Sequence, residues 1–199
     1  MKLYNLVVIG EPEVGKTSLI SSFISDYSIK CYKSELVSGL QTCIVKINTD
    51  IEIKVQIYDM TTNDRSILLT NQHLPSAHGI IIVYDITNDQ TFNSCKNITK
   101  KLISCINSNR NMMIVGNKLD KNDVRKVERA SAELFAQQNS CIFNESSAVT
   151  GEGVKEVFEE IVFSIYKDWD RIFDRPKTNY YFALALTVII CAVVIIWFV

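Results

Sequence analysis

The chain has 199 residues, with 21 basic and 22 acidic side chains for a net charge of −1. That length supports one globular domain with a sizeable core, and that balance gives no whole-chain argument for nucleic acid as a partner. The six cysteines (Cys31, Cys43, Cys95, Cys105, Cys141 and Cys191) lack C-x-x-C spacing, which speaks against a zinc site or a disulfide framework and for free thiols in a reducing compartment.

The chain enters strand-like sequence almost at once, without the succession of basic, apolar and cleavage-site regions that marks a signal peptide. Residues 3–9 read as a strand and 16–25 as a helix. Residues 27–40 show no clear periodicity. Residues 41–49 and 51–59 read as a hairpin, with period-two alternation in "IEIKVQIYD". A short helix is expected over 64–74, ending before Pro75. Residues 79–84, "GIIIVY", form the continuous apolar run that a strand covered on both faces requires. Helices at 91–106 and 127–138 alternate with strands at 112–116 and 141–144. A long helix at 152–173 carries Val154, Phe158, Ile161, Ile165, Trp169 and Ile172 on one face. Alternating strands and helices predict a three-layer α/β domain over 1–172 with a mostly parallel sheet, whose ligands sit at the carboxyl ends of the strands.

Residues 173–179, including Pro176, read as a short linker. Residues 180–199 then run without a charge, Gly or Pro. About 20 residues make about 30 Å of helix, the thickness of a bilayer's hydrocarbon, and Tyr180, Tyr181 and Trp197 lie near its ends, where amphipathic rings favour the interface. One C-terminal transmembrane helix is expected, leaving the preceding domain in the cytoplasm.

Gly10-x-x-x-x-Gly15-Lys16-Thr17 follows a strand and opens a helix. Backbone N–H groups of such a loop turn around phosphate oxygens, and the helix dipole adds to the attraction. Lys16 supplies charge to the outer phosphates and Thr17 a hydroxyl for Mg2+. Asn117-Lys118-Leu119-Asp120 stands at the end of another strand. The Asp120 carboxylate only accepts hydrogen bonds, and guanine offers it two adjacent donors that adenine lacks. Ser146-Ser147-Ala148 follows a third strand and is placed to offer a backbone N–H to the guanine oxygen. An ATPase or kinase reading is disfavoured by Asp120 and by Ser147-Ala148.

With these motifs in this order, the chain resembles a Ras-superfamily small GTPase, closest to the Rab branch. "AHGIIIVYDITNDQTFNSCKN" (77–97), "IVGNKLD" (114–120) and "ESSAVTGEGVKEVF" (145–158) carry the likeness, which covers about residues 3–170. The resemblance implies a P-loop NTPase fold with a six-stranded sheet, GTP/GDP and Mg2+ as cofactors, and a switch that recruits effectors under the control of exchange factors and GTPase-activating proteins. It assigns nucleotide contacts to Gly10, Glu13, Val14, Gly15, Lys16, Thr17, Ser18, Asp59, Thr62, Asn117, Lys118, Asp120, Ser147, Ala148 and Val149, with Thr17 and Asp59 at the metal. Lys16, Asn63 and Glu13 bear on catalysis.

The departures cluster where hydrolysis happens. Glu13 replaces a small residue, Thr62 replaces Gly, and Asn63 replaces a water-orienting Gln. The first-switch Thr is missing: Val37 occupies its slot, and Ser34 and Ser38 are the nearest hydroxyls, with no ground for choosing between them. A carboxylate about 5 Å from phosphate charge is repelled by about 3 kcal/mol at an effective dielectric of 20. Turned outward, it would instead obstruct an arginine finger. Slow GTP hydrolysis is therefore expected, with a pseudo-GTPase membrane adaptor as the alternative. The family's prenylated cysteines also have no counterpart here, so residence on the bilayer should not depend on the bound nucleotide. The expected setting is an endomembrane in vesicle traffic, with the secretory system favoured over mitochondria because no basic residues follow the apolar run.

Overall fold

The computed structural model describes residues 2–26, 40–46, 51–61, 73–105 and 111–173. The chain divides into two compact units, Met1–Ile165 and Tyr166–Val199. The sheet and its helical cover lie in the first unit. Of the second, the described part is the end of one helix. Among the described residues no helix is long and apolar enough to cross a membrane. The apolar run 180–199 lies outside the described residues, as do 27–39, with Ser34, Val37 and Ser38, and the positions of Thr62 and Asn63.

Six strands make one sheet: β1 (Lys2–Gly10), β2 (Leu40–Lys46), β3 (Glu52–Thr61), β4 (Gly79–Asp85), β5 (Asn111–Asn117) and β6 (Ile142–Glu145). Their order across the sheet is β2-β3-β1-β4-β5-β6, with only β2 antiparallel to its neighbour. The expected mostly parallel six-stranded architecture is what the chain adopts. Val8 lies beside Asp59 on β3 and Ile81 on β4, so β1 sits centrally and its carboxyl end opens between the two.

Among the described residues four α-helices cover the sheet: α1 (Lys16–Asp26), α2 (Asp89–Cys105), α3 (Arg129–Gln138) and α4 (Val154–Phe173). Every residue of β4 is buried, because a parallel strand has helices over both faces. Ile80, Ile82 and Tyr84 face the core formed by Phe92, Cys95, Ile98 and Leu102 of α2 and Ala132 and Ala136 of α3. Gly79, on the opposite face, lies under Ile161 and Ile165 of α4. On that side Phe23 of α1 stacks on Phe158 of α4, with ring centroids 4.1 Å apart.

Two helices begin later than their sequence suggests. The third starts at Arg129 and not at Val127, because the N–H groups of Lys126 and Val127 both donate to the Ile86 carbonyl and Val127 is buried there. The last starts at Val154 and not at residue 152. Gly153 has φ +69°, and a Cβ on it would lie 2.3 Å from the Glu145 carbonyl oxygen, so this turn requires glycine and cannot be helix. His73 and Leu74, expected at the end of a helix, lie in a turn, and the rest of that segment is outside the described residues. A 3-10 turn over Leu119–Val124, unforeseen in the sequence, follows β5.

Candidate functional site

Three loops leave the carboxyl ends of the parallel strands β1, β5 and β6, and so lie at the same end of the sheet. The first, residues 10–17, turns sharply. Glu13 has φ +64° and Gly15 φ +93°. Glycine suits this geometry, whereas Glu13 holds a left-handed conformation that costs a residue with a Cβ about 1 kcal/mol or more. Its side chain is exposed. Lys16 is buried and folds back so that Nζ donates to the Glu11 carbonyl at 2.7 Å. Burial pulls its ammonium below the usual lysine range, against the attraction of Asp59 and Glu11. A buried cation with donors to spare inside an N–H-rich loop is suited to phosphate oxygens.

Thr17 Oγ1 donates to Asp59 Oδ2. The other carboxylate oxygen, Asp59 Oδ1, is buried and has no hydrogen-bond partner among the described residues. A hydroxyl and a carboxylate with an unsatisfied oxygen form the hard-oxygen donor pair that suits Mg2+, which usually keeps few protein ligands and takes the rest from water and phosphate. The residues present fit that ion. Ser18 is exposed in the first turn of α1, and Gly10 ends β1.

The second and third loops are tied to the first by Asn117. This residue is buried; its Nδ2 donates to the Val14 carbonyl at 2.8 Å, and its Oδ1 accepts from the Ala148 N–H at 3.2 Å. Asn117 thus braces three loops, and the Ala148 N–H, in the Ser146–Ala148 stretch expected to offer an N–H to the guanine oxygen, donates to Asn117. Across the same gap Ser147 Oγ donates to Asp120 Oδ1 at 2.5 Å, while its hydroxyl oxygen accepts from the N–H groups of Val149 and Thr150. The Val149 side chain itself is exposed. Asp120 is exposed and keeps acceptor capacity on its free oxygen.

Two charged arrangements were not anticipated. Lys118, at φ +70°, pairs through Nζ with Asp85 Oδ2 at 2.7 Å. Burial alone would raise the Asp85 carboxyl. The Lys118 hydrogen bond, the N–H and hydroxyl of Thr87 and the Lys118 charge overcome it and hold it below the usual carboxylate range. A lone acid ending the apolar run of β4 was the available signal. The second is Glu145, buried at the end of β6, which receives Arg125 and Arg129. No spacing in the sequence links these three.

A family model for the Ras family matches residues 5–167. The chain belongs to the Ras family. Its relatives include the Ras-related protein RABF2a of Arabidopsis thaliana, 35% identical over 156 residues that cover 78% of each chain. Ras-related protein Rab11B of Nicotiana tabacum is 32% identical, covering 83% of this chain and 76% of its own. The GTP-binding protein YPTM2 of Zea mays is 33% identical, covering 87% and 84%. This Ras-family chain is therefore Rab-like, and its three loops occupy the strand ends at which an open α/β sheet holds its ligand.

Proposed function

We propose that this chain is a guanine-nucleotide switch of the Rab kind, carried on a membrane by residues 180–199. The observation that carries the reading is the Ser147–Asp120 hydrogen bond, which leaves one carboxylate oxygen free at a strand end beside a phosphate-type loop braced by Asn117. A free acceptor there pairs with guanine donors and repels adenine's lone pairs. The loop amides and Lys16 bind the phosphates, and Lys118, held by Asp85, lies two residues before the base-binding carboxylate. Thr17 and Asp59 would hold Mg2+, which neutralises phosphate charge when bound. GTP and GDP forms then differ in the effectors, exchange factors and GTPase-activating proteins they attract, in vesicle traffic on an endomembrane with the domain facing the cytoplasm.

Turnover is slow in this reading. Glu13 stands exposed on the phosphate loop, and Thr62 and Asn63 replace the family's Gly and Gln in sequence. Glu13 also favours a second reading, a pseudo-GTPase adaptor that binds nucleotide without significant hydrolysis. The full chain in detergent micelles with Mg2+ should bind GDP and GTP in preference to ATP. Single-turnover hydrolysis separates the two readings: slow release of phosphate fits the switch, and none fits the adaptor. Recovery in the carbonate-washed membrane pellet supports the spanning segment; release into the supernatant removes it.

A further inference from the structure

We propose that Arg125 and Glu145 are positioning residues for guanine recognition: their ion pair holds the turn carrying Asp120 against the loop carrying Ser147, and so sets how strongly the site prefers guanine to a purine without the 2-amino group. The inference rests on the nucleotide reading above. Glu145 lies two residues before Ser147, and its side chain is 2% exposed. Arg125 closes the 3-10 turn that begins beside Lys118 and contains Asp120.

Four of the five N–H donors of the guanidinium are engaged. One terminal nitrogen donates to Glu145 Oε1 at 2.6 Å and to the Val127 carbonyl at 3.1 Å; the other donates to Glu145 Oε2 at 3.1 Å. Nε donates to Asn122 Oδ1 at 2.7 Å, inside the turn itself. This forked geometry is what distinguishes Arg from Lys as an orienting group. Two further ties run parallel to it, the Leu119 N–H to the Ser146 carbonyl at 3.0 Å and Ser147 Oγ to Asp120. Asp120 is exposed, so the aim of its carboxylate depends on what holds its turn. The fork onto the buried Glu145 carboxylate is the charged member of that set. Removing Arg125 leaves the buried Glu145 carboxylate with only the longer Arg129 contact, at 3.4 Å, and leaves the Leu119–Ser146 and Ser147–Asp120 bonds to tie the turn to the facing loop.

A pair that merely held the fold together would weaken all nucleotides alike. A positioning pair acts on the contact that guanine makes and hypoxanthine lacks. The test is titration of the full chain, in detergent micelles with Mg2+, with GDP and with IDP. Wild type should prefer GDP by about tenfold or more, as expected when a carboxylate suited to two adjacent donors loses one of them. In Arg125→Ala the preference should shrink by about fivefold or more, chiefly through weaker GDP binding, with Arg125→Lys between the two. Should Arg125→Ala fail to fold, Arg125→Lys and Glu145→Gln carry the same comparison. An unchanged GDP-to-IDP ratio in the folded variants overturns the inference. Wild type that binds neither nucleotide, or both equally, overturns the guanine reading itself.

Discussion

Asn117 reaches back 103 residues to the Val14 carbonyl and, through its other amide atom, holds the Ala148 N–H, so one buried side chain sets the spacing of all three site loops. Replacing it with alanine orphans both partners. Asn117→Ala should lower stability by about 1–3 kcal/mol and weaken GDP binding more than tenfold. Urea unfolding and calorimetric titration measure the two effects. An unfolding midpoint and GDP affinity equal to wild type would remove Asn117 from this role.

Gly15 faces the same side chain. A Cβ there would lie 2.4 Å from Asn117 Nδ2, on a backbone at φ +93°. Gly15→Ala should therefore displace Asn117 and mimic its loss, costing about 1–2 kcal/mol from backbone strain alone. Combined with Asn117→Ala, the two costs should fall short of additive, since they act on one contact. A double-mutant cycle gives the coupling directly.

Glu13 carries backbone strain that glycine would not. Glu13→Gly should be neutral to stabilising, by about 1 kcal/mol at most, because relief of the left-handed conformation is partly offset by chain entropy. If the carboxylate slows turnover, the same variant speeds single-turnover GTP hydrolysis. An unchanged rate alongside unimpaired GTP binding would assign the slowness elsewhere.

The Asp85–Lys118 pair predicts an acid limb. A carboxyl held below its ordinary range stabilises the fold fully at neutral pH and loses that contribution as pH falls through the depressed value. Asp85→Asn removes it. The stability gap between wild type and variant should be constant from about pH 6 to 8 and narrow below about pH 4. Thermal unfolding across that range reads the gap.

Phe158 stacks on Phe23 beneath the sheet, and both are fully buried. Phe158→Ala should cost about 3–5 kcal/mol, the range for emptying an aromatic site in a close-packed core. Denaturant unfolding should show a lower midpoint with an unchanged slope.

Much of this was legible in the residues, because the signals were local. The apolar run at 79–84 forecasts a strand covered on both faces, and the Gly-Lys-Thr sequence after β1 forecasts the start of α1. Where partners are distant in sequence, the reading fell short. Nothing around Val127 signals that its N–H and that of Lys126 are drawn to Ile86, which delays α3. The ties of Asn117 to Val14 and Ala148, which belong to two other loops, have no local signal in the sequence either. Asp85 and Glu145 look like ordinary strand-terminal acids until Lys118 and Arg125 are folded against them.

The strand order has a kinetic consequence. β1 must lie between β3 and β4, each supplied by a later part of the chain, before its loop has anything to face. Contacts of such long sequence separation are slow to close, and the braces at the loop tips close after the strands that carry them. A ligand gripping those tips meets no binding surface in the rate-limiting ensemble. Saturating nucleotide should therefore lengthen the lifetime of the native chain while leaving its refolding rate where it was.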